Sequence, residues 1–232
     1  MRGTESDHAA AAYCDVDGTI AATNIVMPLL WFRRKRAALA DKLWIASLPL
    51  RGPWWLLVDR FNRGASNRSI YRSYRGINAQ WARENVRACF DECIKPRIFP
   101  QALERMEALK KEDVPIVLVT GGLDFILQPL AELLNAELIA PGLIEKNGVF
   151  TGEMNHAPLT GSAKYVAVIK HALRGHIDLA KSYAFGDAFG DANMLYAVGH
   201  PVAVSPDRRL RKIALRRGWE IAEWREEVGS RE

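Results

Sequence analysis

The chain has 232 residues, 49% of them hydrophobic, and 32 Lys and Arg against 27 Asp and Glu, for a formal charge of +5. That is enough for one large domain, or for a core with a smaller insertion, and it excludes a disordered chain or a disulfide-built miniature. There is no run of eighteen apolar residues and so no expected spanning helix, and three cysteines (Cys14, Cys89, Cys93) without paired-ligand spacing suit reduced thiols in the cytoplasm.

Residues 1–8 are polar, include Glu5 and Asp7, and lack the apolar stretch of a signal peptide, so secretion is not expected. An apolar approach over residues 9–12 then runs into Tyr13-Cys14-Asp15-Val16-Asp17-Gly18-Thr19. This reads as a strand that ends in two carboxylates spaced i, i+2, with Gly-Thr turning the chain away. Carboxylates brought together this way are costly unless a cation or a proton separates them, which points to a hard divalent ion. An ordinary Asp-rich turn is the plainer alternative. A calcium loop counted from Asp15 fails, because its required Gly falls on Ile20 and its closing Glu on Val26.

Residues 20–96 differ from the rest in composition. They hold 14 Lys and Arg against 5 Asp and Glu, a net of +9, which leaves −4 for the remainder of a chain carrying +5. Five of the seven tryptophans (Trp31, Trp44, Trp54, Trp55, Trp81) lie here as well. An apolar stretch over residues 25–32 leads into the basic block Arg33 to Arg36. Helical spacing returns over 37–47, with Leu39, Leu43 and Trp44 on one side. The prolines and glycine of residues 48–53 are expected to break that helix. Further helices are expected over 54–61 and 69–90, the second with Tyr71, Tyr74, Ile77 and Trp81 near a 3.6-residue repeat. Cys89 and Cys93, four apart on it, suit packing better than metal binding. Nothing in this segment alternates like a strand.

From Pro100 the pattern becomes regular. A helix to 111 precedes a buried strand over 114–119 that ends at Thr120-Gly121-Gly122, and a helix over 123–134 precedes a short strand over 137–140. Residues 143–154 carry Asn147-Gly148 between apolar flanks, a strong hairpin signal. A helix over 161–173 and a strand over 182–185 lead into Gly186-Asp187. A helix over 192–198, a last core strand over 201–204 and a helix over 207–217 complete the chain. The fold class expected is α/β: a Rossmann-like parallel sheet core (1–19 and 97–232) with an inserted α-helical cap (20–96).

In a parallel sheet the carboxyl ends of strands meet at one edge. Asp15 and Asp17, then Thr120-Gly121-Gly122, then Asp187 with Asp191 are therefore expected to converge on one crevice. Three carboxylates suit Mg²⁺. Thr120 and the amides of Gly121 and Gly122, where a helix begins, suit an anion. Lys164 would bring a positive charge to that anion, although a solvated surface lysine is the ordinary reading of such a residue alone.

Asp15-Val16-Asp17-Gly18-Thr19, Thr120-Gly121-Gly122, Lys164 and Gly186-Asp187-Ala188-Phe189-Gly190-Asp191 resemble the four ordered motifs of the haloacid dehalogenase-like superfamily, in the branch similar to phosphoserine phosphatase. That family has a helical cap between its first two motifs, where this chain has residues 20–96. The resemblance implies a phosphatase in which Asp15 attacks phosphorus to form a phosphoaspartate. Asp17 would protonate the leaving oxygen and later deprotonate the attacking water. Mg²⁺ would be held by Asp15, the Asp17 backbone carbonyl and Asp187. Thr120, Gly121 and Lys164 would bind the phosphoryl oxygens, and Asp191 would sit near the metal or orient Lys164.

Two departures bear on the substrate. The glutamate that phosphoserine phosphatases carry nine residues past the nucleophile is Asn24 here, and the asparagine three after the fourth-motif aspartate is Gly190. The expectation is therefore a phosphate ester that is small or amphiphilic, lysophosphatidate-like in preference. Phosphoserine and other small metabolites are the alternative. The tryptophans and Arg33 to Arg36 suggest peripheral contact with an anionic membrane, against the plainer reading that the tryptophans are core. A catalytically idle membrane- or nucleic-acid-binding module is the reading from another class. Intact Asp15 and Asp17 weigh against idleness, and no nucleic-acid motif accompanies the basic segment.

Overall fold

The computed structural model describes residues 9–61 and 63–225; the polar residues 1–8, expected not to be a signal peptide, lie outside the described residues. The chain opens with strand β1 (Ala12–Cys14) and helices α1 (Val26–Arg36), α2 (Leu39–Ala46), α3 (Leu48–Phe61), α4 (Arg63–Tyr71), α5 (Ala79–Glu84), α6 (Val86–Cys89) and α7 (Pro100–Lys111). Strand β2 (Ile116–Val119), helix α8 (Asp124–Leu134) and strands β3 (Glu137–Ile139), β4 (Leu143–Lys146) and β5 (Val149–Met154) follow. Helix α9 (Ser162–Gly175), strand β6 (Tyr183–Gly186), helix α10 (Ala192–Tyr196), strand β7 (His200–Val204), helix α11 (Arg208–Arg217) and strand β8 (Glu220–Ala222) complete it.

Six strands form one sheet in the order β3-β2-β1-β6-β7-β8, and every pairing in it is parallel. The α/β class with a doubly wound sheet is as expected. Strand β1 is central because it is buried on both faces. Ala12 and Cys14 point into one half of the core, while Ala11 and Tyr13 point into the other beside Val117, Val119 and Ala184. Strand order reverses at β1, so the crevice beyond its carboxyl end is the natural ligand site of such a sheet. The sheet runs one strand further than the sequence reading allows. Strand β8 pairs with β7 at the edge, and three residues following a helix that ends at Gly218 leave no period to detect.

The helical segment departs from expectation in its joints. Helix α1 runs through the basic block to Arg36, and residues 48–53 do not break a helix but begin α3. The actual break is at Ser47, whose hydroxyl donates to the Trp44 carbonyl at 2.6 Å. Pro49 falls in the first turn, where its missing N–H has no helical partner to lose, and Pro53 sits inside the helix. The single helix expected over 69–90 is several pieces. A 3₁₀ turn over Arg72–Tyr74 and Gly76 at φ +79° end the first, and Asn78 caps α5 by accepting from the Trp81 N–H at 2.8 Å. A π-helical turn over Phe90–Ile94 follows α6 and contains Cys93, half-buried, while Cys89 is buried.

Leu39 and Leu43 are exposed at 73% and 65% while Trp44 is buried, so the three do not share one face. Asp41 is fully buried and holds both Arg33 (2.8 Å) and Arg36 (2.6 Å). Two arginines of the basic block are thus structural.

Strands β4 and β5 form the expected hairpin, with Asn147 at φ +53° and Gly148 at φ +74°. It is bound to the helical segment by backbone hydrogen bonds, from Gly76 to Phe150, from Phe150 to Ile77 and from Ala79 to Gly148, each 2.9 Å. Gly152, at φ +80°, abuts the Arg72 backbone, which a Cβ would meet at 2.8 Å. An aromatic seam of Phe32, Phe125 and Phe150 carries the core of the sheet domain into the helices.

Candidate active site

The loop after β1 is shaped by one glycine. Gly18 has φ +83°, and a Cβ there would stand 2.3 Å from Asp187 Oδ2, so only glycine lets this loop pass beneath the end of β6. Asp15 is buried, its N–H donating to the Phe185 carbonyl at 3.0 Å. Asp17 accepts from the Thr23 hydroxyl at 2.7 Å. Thr23 carries no sequence signal for this role.

Lys164, in the first turn of α9, is not a surface lysine: it is 5% exposed. Its ammonium stands 2.7 Å from Asp15 Oδ1 and 2.6 Å from Asp191 Oδ1. Burial alone would weaken the ammonium's hold on its proton, but Asp15 and Asp191 overcome this and raise its pKa. Burial pushes the Asp15 carboxyl up to about 6 against the pull of Lys164. The second oxygen of Asp191 accepts from the Ala188 N–H at 3.1 Å, so both of its oxygens are hydrogen-bonded.

Thr120 closes β2 and is buried, its hydroxyl accepting from the Gly122 N–H at 3.0 Å. This corrects one expectation: the Gly122 amide is spent locally and does not face an anion. Gly121 lines the open crevice. Asp15, Asp17, Gly121, Lys164, Asp187 and Asp191 all border one cavity of about 600 Å³; Thr120, buried next to Gly121, is not among its lining residues.

One oxygen each of Asp15, Asp187 and Asp191 falls within 4.8 Å of the others. Hard anionic oxygens at this spacing fit Mg²⁺ rather than a thiolate- or imidazole-loving metal. Above this floor the cavity wall is apolar, built from Ile25, Val26, Met27, Leu30, Leu48 and Trp55. Among the described residues, the charged groups that border the cavity follow β1 and β6 or stand on α9. Asn24 is turned to cap α1, its Oδ1 accepting from Val26 at 3.0 Å and Met27 at 3.3 Å.

Two further polar lining residues, Ser66 and Asn67 of α4, were not foreseen. They sit in a helix whose apolar repeat is interrupted by glycine and serine, and only burial distinguishes them from surface residues.

A family model described as haloacid dehalogenase-like hydrolase matches residues 12–196. An inhibition of morphological differentiation protein of Streptomyces azureus is 33% identical over 156 residues, 66% of this chain, and the match spans 56% of that protein's length. A probable phosphatase of Mycobacterium tuberculosis is 28% identical over 237 residues, covering 99% of this chain and 80% of that one. A solved phospho-aspartyl intermediate analogue of phosphoserine phosphatase superposes with a TM-score of 0.67 at 19% identity, covering 95% of this chain and 96% of that one, a likeness of fold.

Proposed function

The chain belongs to the haloacid dehalogenase-like hydrolase family, and from that premise we propose that it is a Mg²⁺-dependent phosphomonoester phosphatase acting through a phosphoaspartate on Asp15. The observation that carries this reading is the buried Lys164 ammonium bound to Asp15 and Asp191 beside Asp187, at the mouth of the sheet. Residues 20–96 serve as the cap over a core of 1–19 and 97–232.

Asp15 and Asp187, with the Asp17 backbone carbonyl, would hold the cation, which when bound neutralises charge among the carboxylates and phosphoryl oxygens. Lys164, the Gly121 amide and the Thr120 hydroxyl bind the phosphoryl oxygens where charge crowds in the transition state. Asp191, with both oxygens engaged, orients Lys164. An Asp15 oxygen attacks phosphorus, and the P–O bond to the alcohol breaks as Asp17 gives that oxygen its proton. Asp17 then takes a proton from the water that attacks phosphorus, releasing phosphate and restoring the Asp15 carboxylate. Thr23 holds Asp17 for both transfers.

The apolar wall favours an amphiphilic monoester of lysophosphatidate type. Phosphoserine would bring an ammonium and a carboxylate against this wall, where no described residue of the helical segment offers a counter-charge and Asn24 is occupied as a helix cap. Asp15→Asn should abolish phosphate release while leaving the circular dichroism spectrum unchanged. The wild type should give a higher kcat/KM on a lysophosphatidate than on phosphoserine. Substantial turnover by Asp15→Asn rules out the covalent route, and a preference for phosphoserine rules out the amphiphilic one.

Membrane contact belongs to this reading through a different face from the one the tryptophans suggested. Trp31, Trp44 and Trp55 are inside, and Arg33 and Arg36 are bound to Asp41. Instead Leu39, Leu43, Leu50, Trp54 and Leu57 are exposed, in a stretch that also exposes Arg34, Lys35, Lys42 and Arg51. Vesicles containing anionic lipid should sediment the protein at low salt, less so at high salt, and Leu50→Asp with Trp54→Asp should release it. Wild-type protein that stays in the supernatant at low salt would remove the membrane from this account.

A further inference from the structure

Asn67 is 5% exposed, and its side-chain amide has no hydrogen-bond partner among the described residues. It borders the cavity, and its Nδ2 lies 3.1 Å from where a Cβ on Gly121 would stand. The amide nitrogen therefore hangs over the bare face of the loop that follows β2, an approach open only because Gly121 has no side chain. One turn along α4, the Tyr71 hydroxyl donates to the Gly121 carbonyl at 2.6 Å and fixes the helix against that loop. The amide opens on the cavity, so an acceptor that enters there takes up its N–H in place of water.

Resting on the phosphatase reading, we propose that Asn67 is a substrate-binding residue: its Nδ2 donates to a non-bridging oxygen of the phosphoryl group held at Gly121. The ligand chemistry is a phosphomonoester dianion, or inorganic phosphate as product. The core supplies its charges to this group from below, whereas Asn67 adds a neutral donor from the helical segment above. Because the phosphoryl group is common to all monoesters, the contact acts equally on all of them. Selection among leaving groups falls to the apolar wall.

The test uses the full chain with Mg²⁺. Asn67→Ala should lower kcat/KM by roughly ten- to a hundredfold, the worth of one hydrogen bond to a charged group, and by the same factor on p-nitrophenyl phosphate and on a lysophosphatidate. The inhibition constant of inorganic phosphate should rise in step. Asn67→Asp should lose more on both measures, since a carboxylate then faces the phosphate. The melting temperature of the ligand-free protein should not fall in Asn67→Ala, because the amide has no partner to lose, but the phosphate-induced rise should shrink. Should the alanine variant fold poorly, Asn67→Ser carries the same expectations. An unchanged phosphate constant, or a loss that differs between the two leaving groups, overturns the assignment. If instead the wild type neither releases phosphate nor binds it, the phosphatase reading itself has failed.

Discussion

Mg²⁺ added to the metal-free chain should raise its melting temperature, and chelation should reverse the rise. One oxygen each of Asp15, Asp187 and Asp191 lies within 4.8 Å of the others. At an effective dielectric near 20, two unit charges at that distance repel by about 3 kcal/mol. Lys164 sets one positive charge against two of them, Asp15 and Asp191, at 2.7 and 2.6 Å. A divalent cation balances the remainder and binds only the folded chain. At a hundred times its dissociation constant it contributes about 2.7 kcal/mol. For a chain of this size each kcal/mol moves the midpoint by about 2–4 °C, which gives a rise of about 5–11 °C. Melting followed by circular dichroism, in excess Mg²⁺ and in excess chelator, reads this without reference to activity. Asp187→Asn should respond little to Mg²⁺, having lost one of the carboxylates that would hold it. A wild-type midpoint indifferent to both Mg²⁺ and chelator would refute the cation site and the electrostatic reasoning behind it.

Two further outcomes are expected of the helical segment and its hairpin. Asp41→Asn should cost about 3–5 kcal/mol in denaturant unfolding, since Arg33 is left buried without its carboxylate; a loss below about 1 kcal/mol would show that solvent reaches the pair. Burial alone would raise the Asp41 pKa, but Arg36 and Arg33 outweigh it and hold the carboxyl below the usual range. Its contribution should thus be complete above the unfolded value near pH 4 and decline as pH falls through the lower folded one, a decline Asp41→Asn should lack. Gly152→Ala should cost roughly 2–5 kcal/mol, combining a side chain at positive φ with its clash against the Arg72 backbone, and a neutral result would mean the hairpin yields freely.

The strand ends were legible because the central strands are continuous apolar runs that stop abruptly at polar residues, as at Asp15, Thr120 and Asp187. The hairpin was legible from Asn147-Gly148 alone. The helical segment was not, because its joints are set by tertiary contacts. Asp41 is inside with two arginines around it while Leu39 and Leu43 are outside, the reverse of what hydrophobicity suggests. Tyr71, Tyr74 and Ile77 keep a helical spacing across a turn at Gly76 because all three reach the same core. Strand β8 is too short to carry a period. Asn67 and Thr23 are ordinary polar residues until their neighbours are known.

The two chain connections to the helical segment run side by side, with hydrogen bonds from Ala22 to Arg97 (2.8 Å) and from Phe99 to Ile20 (3.0 Å). They make one pivot, and the β4–β5 hairpin grips the segment at a second point through its backbone. The hairpin's feet are tied to each other, the Asn155 N–H donating to the Gly142 carbonyl at 3.0 Å and the Gly142 N–H to Asn155 Oδ1 at 2.8 Å. From Asn155 the chain runs directly to Leu159, Thr160 and Gly161 on the cavity wall, and then to Lys164. With the segment held at both points, a swing about the pivot would carry the hairpin, and with it the cavity wall beside Lys164, so that the apolar mouth and the surroundings of the ammonium would open together.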